Sequence, residues 1–384
     1  MNINKGHHEG RGFSLVEVMI GMVMGMIVLL IIMQAFSVAE GYKRTTTTGS
    51  DAQVNGLLAL RTLESEIRIA GYGMMNTTSL CPSINTIDPV TKNVAIPVNN
   101  MPVKIVDGGN GSDTVEVIYS SSATGAAPVQ ITKGMPTPSN TAFVSNTLGF
   151  AQCDFILWAS KDGSKACTME QATNVFKSPA KLLTSHGGSN YNTPGGFSGA
   201  LYPTGGYSTN DIIINMGSFI DRRFSIFKEG TNDEYYLRQT KVNSANDGCN
   251  PTDPNPNLDL VSNIVNIQAQ YGVAETAGSQ EVTCWTSAAA SDTGCGITTG
   301  GNWSAPSSTD VKKIKAVKVA IVARGALSEK PSEGSSSCNT TTTAPVSWDG
   351  GPTINLSSIP NWQCYRYKVY QTVVPMINVI WSNS

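Results

Sequence analysis

Phe13 to Met33 is a predominantly apolar run of 21 residues with a single ionisable side chain, Glu17. As a helix rising about 1.5 Å per residue it is roughly 31 Å long, the thickness of a bilayer's hydrocarbon core. Such a segment must cross a membrane or be buried among other helices. A lone carboxylate in hydrocarbon costs several kcal/mol unless neutralised, so Glu17 reads as functional. If the chain is cut after Gly12, Phe13 becomes the N-terminus. Its ammonium then lies one helical turn from Glu17, on the same chain or a neighbouring copy, and can pair with it. Gly21 and Gly25 add a Gly-x-x-x-Gly step that lets helix backbones approach closely.

Gly12, Phe13 and Glu17, behind the basic Lys5 and Arg11, resemble the cleavage and assembly signal of type IV prepilins. The resemblance implies removal of residues 1–12 by a prepilin peptidase, N-methylation of Phe13 and polymerisation of the helix into a filament core. Two other readings compete. A secretory signal would cleave after Ser37-Val38-Ala39, giving Glu40 as the new N-terminus, but its apolar core should be shorter and free of acids. A plain membrane anchor leaves Glu17 unexplained.

Charged residues make up only 14% of the 384, and Ser, Thr, Asn and Gly take their place, as on exported surfaces. The net charge of −2 gives no reason to expect a nucleic-acid partner. The eight cysteines, Cys81, Cys153, Cys167, Cys249, Cys284, Cys295, Cys338 and Cys364, all follow the apolar run. Irregular spacing without Cys-x-x-Cys favours structural disulfides in an oxidising compartment over zinc or redox chemistry. Nearness along the chain points to Cys153–Cys167 and Cys284–Cys295.

Beyond Met33 the helix is expected to continue, with Val54, Leu57, Leu60, Leu63, Ile67 and Ala70 forming an amphipathic face that ends at Gly71. Thr45 to Gly49 is a weak middle, β-branched and closed by glycine. No proline interrupts residues 13–81. From about Thr77 the pattern changes to strands, expected at Thr114–Ser120, Phe155–Ala159, Asp211–Met216, Tyr235–Val242, Ile264–Tyr271, Lys315–Arg324 and Tyr365–Val374. In Lys315–Arg324, Val317, Val319, Ile321 and Ala323 alternate with Lys318, Ala320, Val322 and Arg324, as in a half-buried strand. Long loops are expected at about 121–150, 160–208, 243–260, 272–310 and 325–360.

The blocks Gly111–Val117, Asn266–Val273, Val317–Arg324 and Tyr370–Pro375, with Leu63–Tyr72 at the helix end, are similar to blocks of PilW-type minor pilins and keep their order. One departure stands after Pro375: Met376-Ile377-Asn378 replaces the Leu-Arg-Asn common there. The resemblance implies an α+β, pilin-like fold, a long hydrophobic N-terminal helix packed on an antiparallel sheet head with disulfide-stapled loops. The expected layout is a leader at 1–12, a transmembrane or filament-core helix at 13–38, its amphipathic continuation at 39–73 and a β-rich head at 74–384.

Catalytic chemistry is not expected. His7, His8 and Glu9 belong to the leader. His186-Gly187-Gly188 has no Gly-x-Ser-x-Gly elbow to serve it. The acidic loops Asp107–Asp113 and Asp247–Asp259 lack EF-hand spacing. Some pilin relatives bind calcium, which leaves Asp247, Asp253 and Asp259 as calcium candidates in a chain otherwise expected to carry no cofactor.

The resemblance thus implies a minor pilin that primes type IV pilus assembly, in a tip complex supporting adhesion or twitching motility. Its implied partners are other minor pilins, the major pilin, the prepilin peptidase and the inner membrane, where the head is periplasmic before assembly. The size of the head and its long loops add a candidate docking surface for a PilY-type tip adhesin. The alternatives are a J-type pseudopilin of a type II secretion system and a membrane-anchored periplasmic binding protein.

Overall fold

One helix dominates the computed structural model, which describes residues 14–74, 81–87, 94–98, 101–122, 124, 127–135, 141–184, 191–192, 201–230, 233–242, 255–298, 301–331 and 337–382. Helix α1 (Leu15–Ile69) runs for 55 residues, about 82 Å at 1.5 Å per residue. The Thr45–Gly49 stretch is helical throughout. Thr48 Oγ donates to the carbonyl of Arg44 at 2.7 Å, and Thr48 is buried over Gly325. Tertiary packing overrides poor propensity there.

The buried stripe of α1 is Thr48, Ala52, Gly56, Ala59, Leu63 and Ile67. This corrects the expected face, of which Leu63, Ile67 and Ala70 are buried, Leu60 is half-buried, and Val54 and Leu57 are exposed. The reason is distance. From Thr48 to Ala59 the helix lies so close over the sheet that only small residues fit, and a Cβ at Gly56 would collide with the Tyr370 ring and meet Ala323.

The strands begin with β1 (Ile84–Ile87), β2 (Val94–Val98), β3 (Val103–Val106), β4 (Thr114–Tyr119), β5 (Pro128–Gln130) and β6 (Thr141–Phe143). They continue with β7 (Phe155–Ala159), β8 (Cys167–Gln171), β9 (Asn174–Lys177), β10 (Ala180–Leu183), β11 (Ile212–Gly217) and β12 (Ile220–Glu229). The last are β13 (Glu234–Lys241), β14 (Asn257–Ser262), β15 (Ile264–Val273), β16 (Cys284–Thr286), β17 (Ile314–Arg324) and β18 (Tyr367–Pro375). Short helices α2 (Ser308–Val311) and α3 (Ile377–Ser382) flank the last two strands.

Two antiparallel sheets, ordered β14-β13-β12-β4-β3 and β16-β15-β17-β18, build the part that holds α1. Their shared core joins Leu63 and Ile67 to Val115, Val117, Phe224, Ile267, Val319 and Ile321. Burying each such aliphatic side chain contributes about 1.5–3 kcal/mol. β17 pairs one edge of β15 along its length, and on the other edge, which β16 covers only from Tyr271 to Val273, the Gly111–Asp113 turn binds the middle of the strand. Asp113 N–H donates to Ile267 O at 2.8 Å, and Ala269 N–H donates to the Asp113 carboxylate at 2.7 Å.

β4 and β12 are antiparallel neighbours, with Tyr119 opposite Ile220, so the pair would form a hairpin. The described residues of 120–219 are interposed between them and form a lobe together with β1 and β2, which precede β4 in the chain. Its six-stranded sheet runs β2-β1-β8-β7-β11-β5, with β1 and β8 parallel, and a small β6-β10-β9 sheet lies beside it. The lobe has its own cores, one around Phe155, Leu157 and Met216, the other around Trp158, Leu182 and Tyr207. It sits just past the C-terminal end of α1, where Gly71 N–H donates to Ile118 O and Ser120 N–H to Tyr72 O, both at 2.8 Å.

All seven expected strands are present within two residues of their expected ends. The expected loops at 121–150, 160–208, 243–260 and 272–310 instead carry β5, β6, β8–β10, most of β14 and β16, and β1–β3 and β12 are not among the expected strands. Lys315–Arg324 is not half-buried. Ala320, Val322 and Arg324 are buried too, because Ile354, Leu356 and Ile359, from the expected 325–360 loop, cover the second face.

Candidate assembly surface

The two halves of α1 meet different surroundings. From Leu15 to Val38 every large hydrophobic side chain is exposed, and this part is long and apolar enough to cross a membrane. Ser14 begins the helix in an extended conformation, its carbonyl accepting the N–H groups of Glu17 and Val18. Glu17 thus stands in the first turn, where the helix dipole favours a negative charge. Among the described residues it makes no ion pair. A Cβ at Gly21 or Gly25 would meet nothing within 4 Å, so both glycines leave open surface on this chain. Gly12 and Phe13 lie outside the described residues, as do His7, His8, Glu9 and His186.

In the second half, Val54, Leu57 and Leu58 are exposed on the side of α1 opposite its buried stripe. At 100° per residue these three cover about 100° of the helix surface, a second apolar stripe. Reading one stripe per amphipathic helix assigns Val54 and Leu57 to the core; the small residues at 48, 52, 56 and 59 are the signal that shows otherwise.

The helix end is fastened to the head by polar contacts that sequence reading missed. Glu66 pairs with Arg222 of β12 at 2.6 Å and accepts from Tyr119 of β4 at 3.3 Å. Asn378, in α3, donates to the carbonyls of Ile69 and Ala70. Asp113 is buried in the turn that binds β15. Burial pushes its carboxyl up to about 6, against the pull of the Gly108 and Ala269 N–H groups.

The cysteines form Cys81–Cys167, Cys284–Cys295 and Cys338–Cys364, with Cα separations of 5.3, 5.5 and 4.9 Å. Cys284–Cys295 is as expected, whereas Cys153–Cys167 is overturned. β7 and β8 form a hairpin in which Phe155 faces Gln171, so Cys153 lies at its open end and Cys167 at the other. Cys167 instead faces β1 and bonds Cys81. Cys153 is disulfide-bonded as well, and Cys249 lies outside the described residues. Of the calcium candidates, Asp247 and Asp253 also lie outside them. Asp259 gives both carboxylate oxygens to Arg238, at 2.7 and 2.9 Å, which holds its carboxyl below the usual range.

Residues 224–378 match the family model described as type IV Pilus-assembly protein W. The match supports a type IV pilus assembly-related role. It runs from the middle of β12 through β18 and ends on Asn378, so it covers most of the sheet framework that carries α1. It leaves out α1 and the interposed lobe. No curated protein and no solved structure matches the chain. The long apolar helix, the antiparallel sheets and the disulfides are together consistent with an α+β, pilin-like fold.

Proposed function

We propose that this chain is a minor pilin that primes assembly of a type IV pilus within a tip complex. The division of α1 supports this reading most: an apolar, exposed first half carrying Glu17, and a second half clamped to the head. The first half is held in the inner membrane, with the head periplasmic, until prepilin peptidase removes residues 1–12 and Phe13 is methylated. The helix is then drawn out and buried among neighbouring pilin helices. Glu17 pairs there with an N-terminal ammonium and sets the register, since an unpaired charge in that core is costly. Val54, Leu57 and Leu58 supply lateral contact to other minor pilins. The lobe past the far end of α1 supports a tip position, where it offers a docking face for an adhesin.

Glu17→Ala tests the mechanism. It should leave membrane insertion intact while lowering recovery of the subunit in sheared pili by about tenfold or more, since each 1.4 kcal/mol is tenfold. Normal pilus numbers and normal recovery would overturn the reading.

A further inference from the structure

A groove of about 1010 Å³ opens where α1 leaves the head, between helix residues 32–45 and the segment that follows β17. Its two ends differ in chemistry. Ile32, Met33 and Phe36 line the end nearer the exposed half of α1, and Arg44, Lys330 and Arg366 line the other. The groove also holds two carboxylates, both engaged: Glu40 pairs with Arg44 at 3.7 Å, and Glu329 with Arg366. Three cations against two acids leave one positive charge in excess. Among the described residues Lys330 has no ion-pair partner, and Arg44 Nε is buried without a hydrogen-bond acceptor.

The order of these residues along α1 gives the groove a direction. Phe36 lies about 32 Å along the helix axis from Leu15, and Arg44 about 12 Å further. With the apolar half of α1 across a bilayer, Ile32 to Phe36 stand at the outer edge of the hydrocarbon and Arg44 at the level of the headgroups.

We propose that the groove holds one anionic phospholipid, its acyl chain along Ile32, Met33 and Phe36 and its phosphate between Arg44 and Lys330. The apolar-to-cationic order runs the way a lipid of that leaflet runs, and the single excess charge matches one anionic headgroup. A second copy's apolar helix would bury Lys330 without an ion-pair partner among the described residues, an unfavourable burial. The bound lipid seats the head on the membrane before assembly and is given up when the helix is extracted. This inference rests on the membrane-spanning reading of α1.

The test uses the full chain in nanodiscs of equal phosphatidylglycerol and phosphatidylcholine, followed by native mass spectrometry. The wild type should retain one phosphatidylglycerol. Lys330→Glu should retain it about tenfold less or weaker still, from a surface contribution of about 1 kcal/mol per cation and its reversal. Lys161→Glu, an equal charge reversal on the lobe past the far end of α1, should retain it as the wild type does. Equal retention of both lipids, or unchanged retention by Lys330→Glu, would overturn the proposal. Displacement by millimolar inorganic phosphate would reassign the site to a free anion. Cross-links from Lys330 to α1 of a second copy would reassign it to a neighbouring subunit. Membrane flotation of the same variants separates the two readings: a chain that does not float fails as a spanning protein, and one that floats without retaining lipid fails only at the groove.

Discussion

Asn378 donates its side-chain amide to the carbonyl oxygens of Ile69 and Ala70, at 3.2 and 3.0 Å. The last turn of a helix leaves its carbonyls without partners inside the helix, and a side chain from the far end of the chain supplies them here. The residue stands in the segment Met376-Ile377-Asn378, where the resemblance to PilW-type sequences departs at the two positions before it but keeps the asparagine.

Asn378→Ala should therefore lower stability by about 1–2 kcal/mol, the usual net value of one or two such bonds, without changing the fold. Urea unfolding followed by circular dichroism measures it. No change in midpoint would mean that water replaces the amide at no cost.

Gly56 has a second, steric role. An added Cβ would collide with the Tyr370 ring, so Gly56→Ala should destabilise by about 1–3 kcal/mol, the cost of overpacking, although alanine is the better helix former. The double variant with Tyr370→Ala should recover part of that loss. Additive losses in the double-mutant cycle would show that the two positions do not touch.

Much of this could be read from the residues themselves, and the misses share a cause. The strand at Lys315–Arg324 declares itself by its alternating valines, but which faces are covered depends on Ile354, Leu356 and Ile359, far along the chain. β12 is invisible to a period-two pattern, because of its ten residues only Phe224 is fully buried and its arginines are held by Glu66 and Glu116. The buried stripe of α1 was misplaced because Thr48, Ala52, Gly56 and Ala59 look like surface residues until a sheet lies a few ångströms below them. The exposed apolar half of α1 was legible, since a predominantly apolar run has no polar face and nothing among the described residues covers it. Cys81–Cys167 was not legible, as it follows from a parallel pairing across 86 residues.

Buried acids give the stability a sign with pH. Burial pushes Glu170 up from 4.5 to about 7, against donation from Tyr202 and Trp158. Burial likewise pushes Asp221 up to about 7 and Asp113 to about 6. Each group holds its proton in the folded state over a range where the unfolded chain has released it. Stability is then greatest below about pH 4 to 4.5 for these groups and falls as pH rises to about 7. Glu170→Gln should remove its share of that slope, on the order of 3 kcal/mol, within the lobe. Unfolding monitored by tryptophan fluorescence at pH 5 and pH 8 checks this, and a variant with an unchanged slope would place the titration elsewhere.

The most direct measurement is the mass of the N-terminal peptide of the chain recovered from fibres sheared off cells. A peptide that begins at Phe13 and carries one added methyl group is the expected result. Finding the chain only in membranes, with residues 1–12 still attached, or beginning at Glu40, would contradict it.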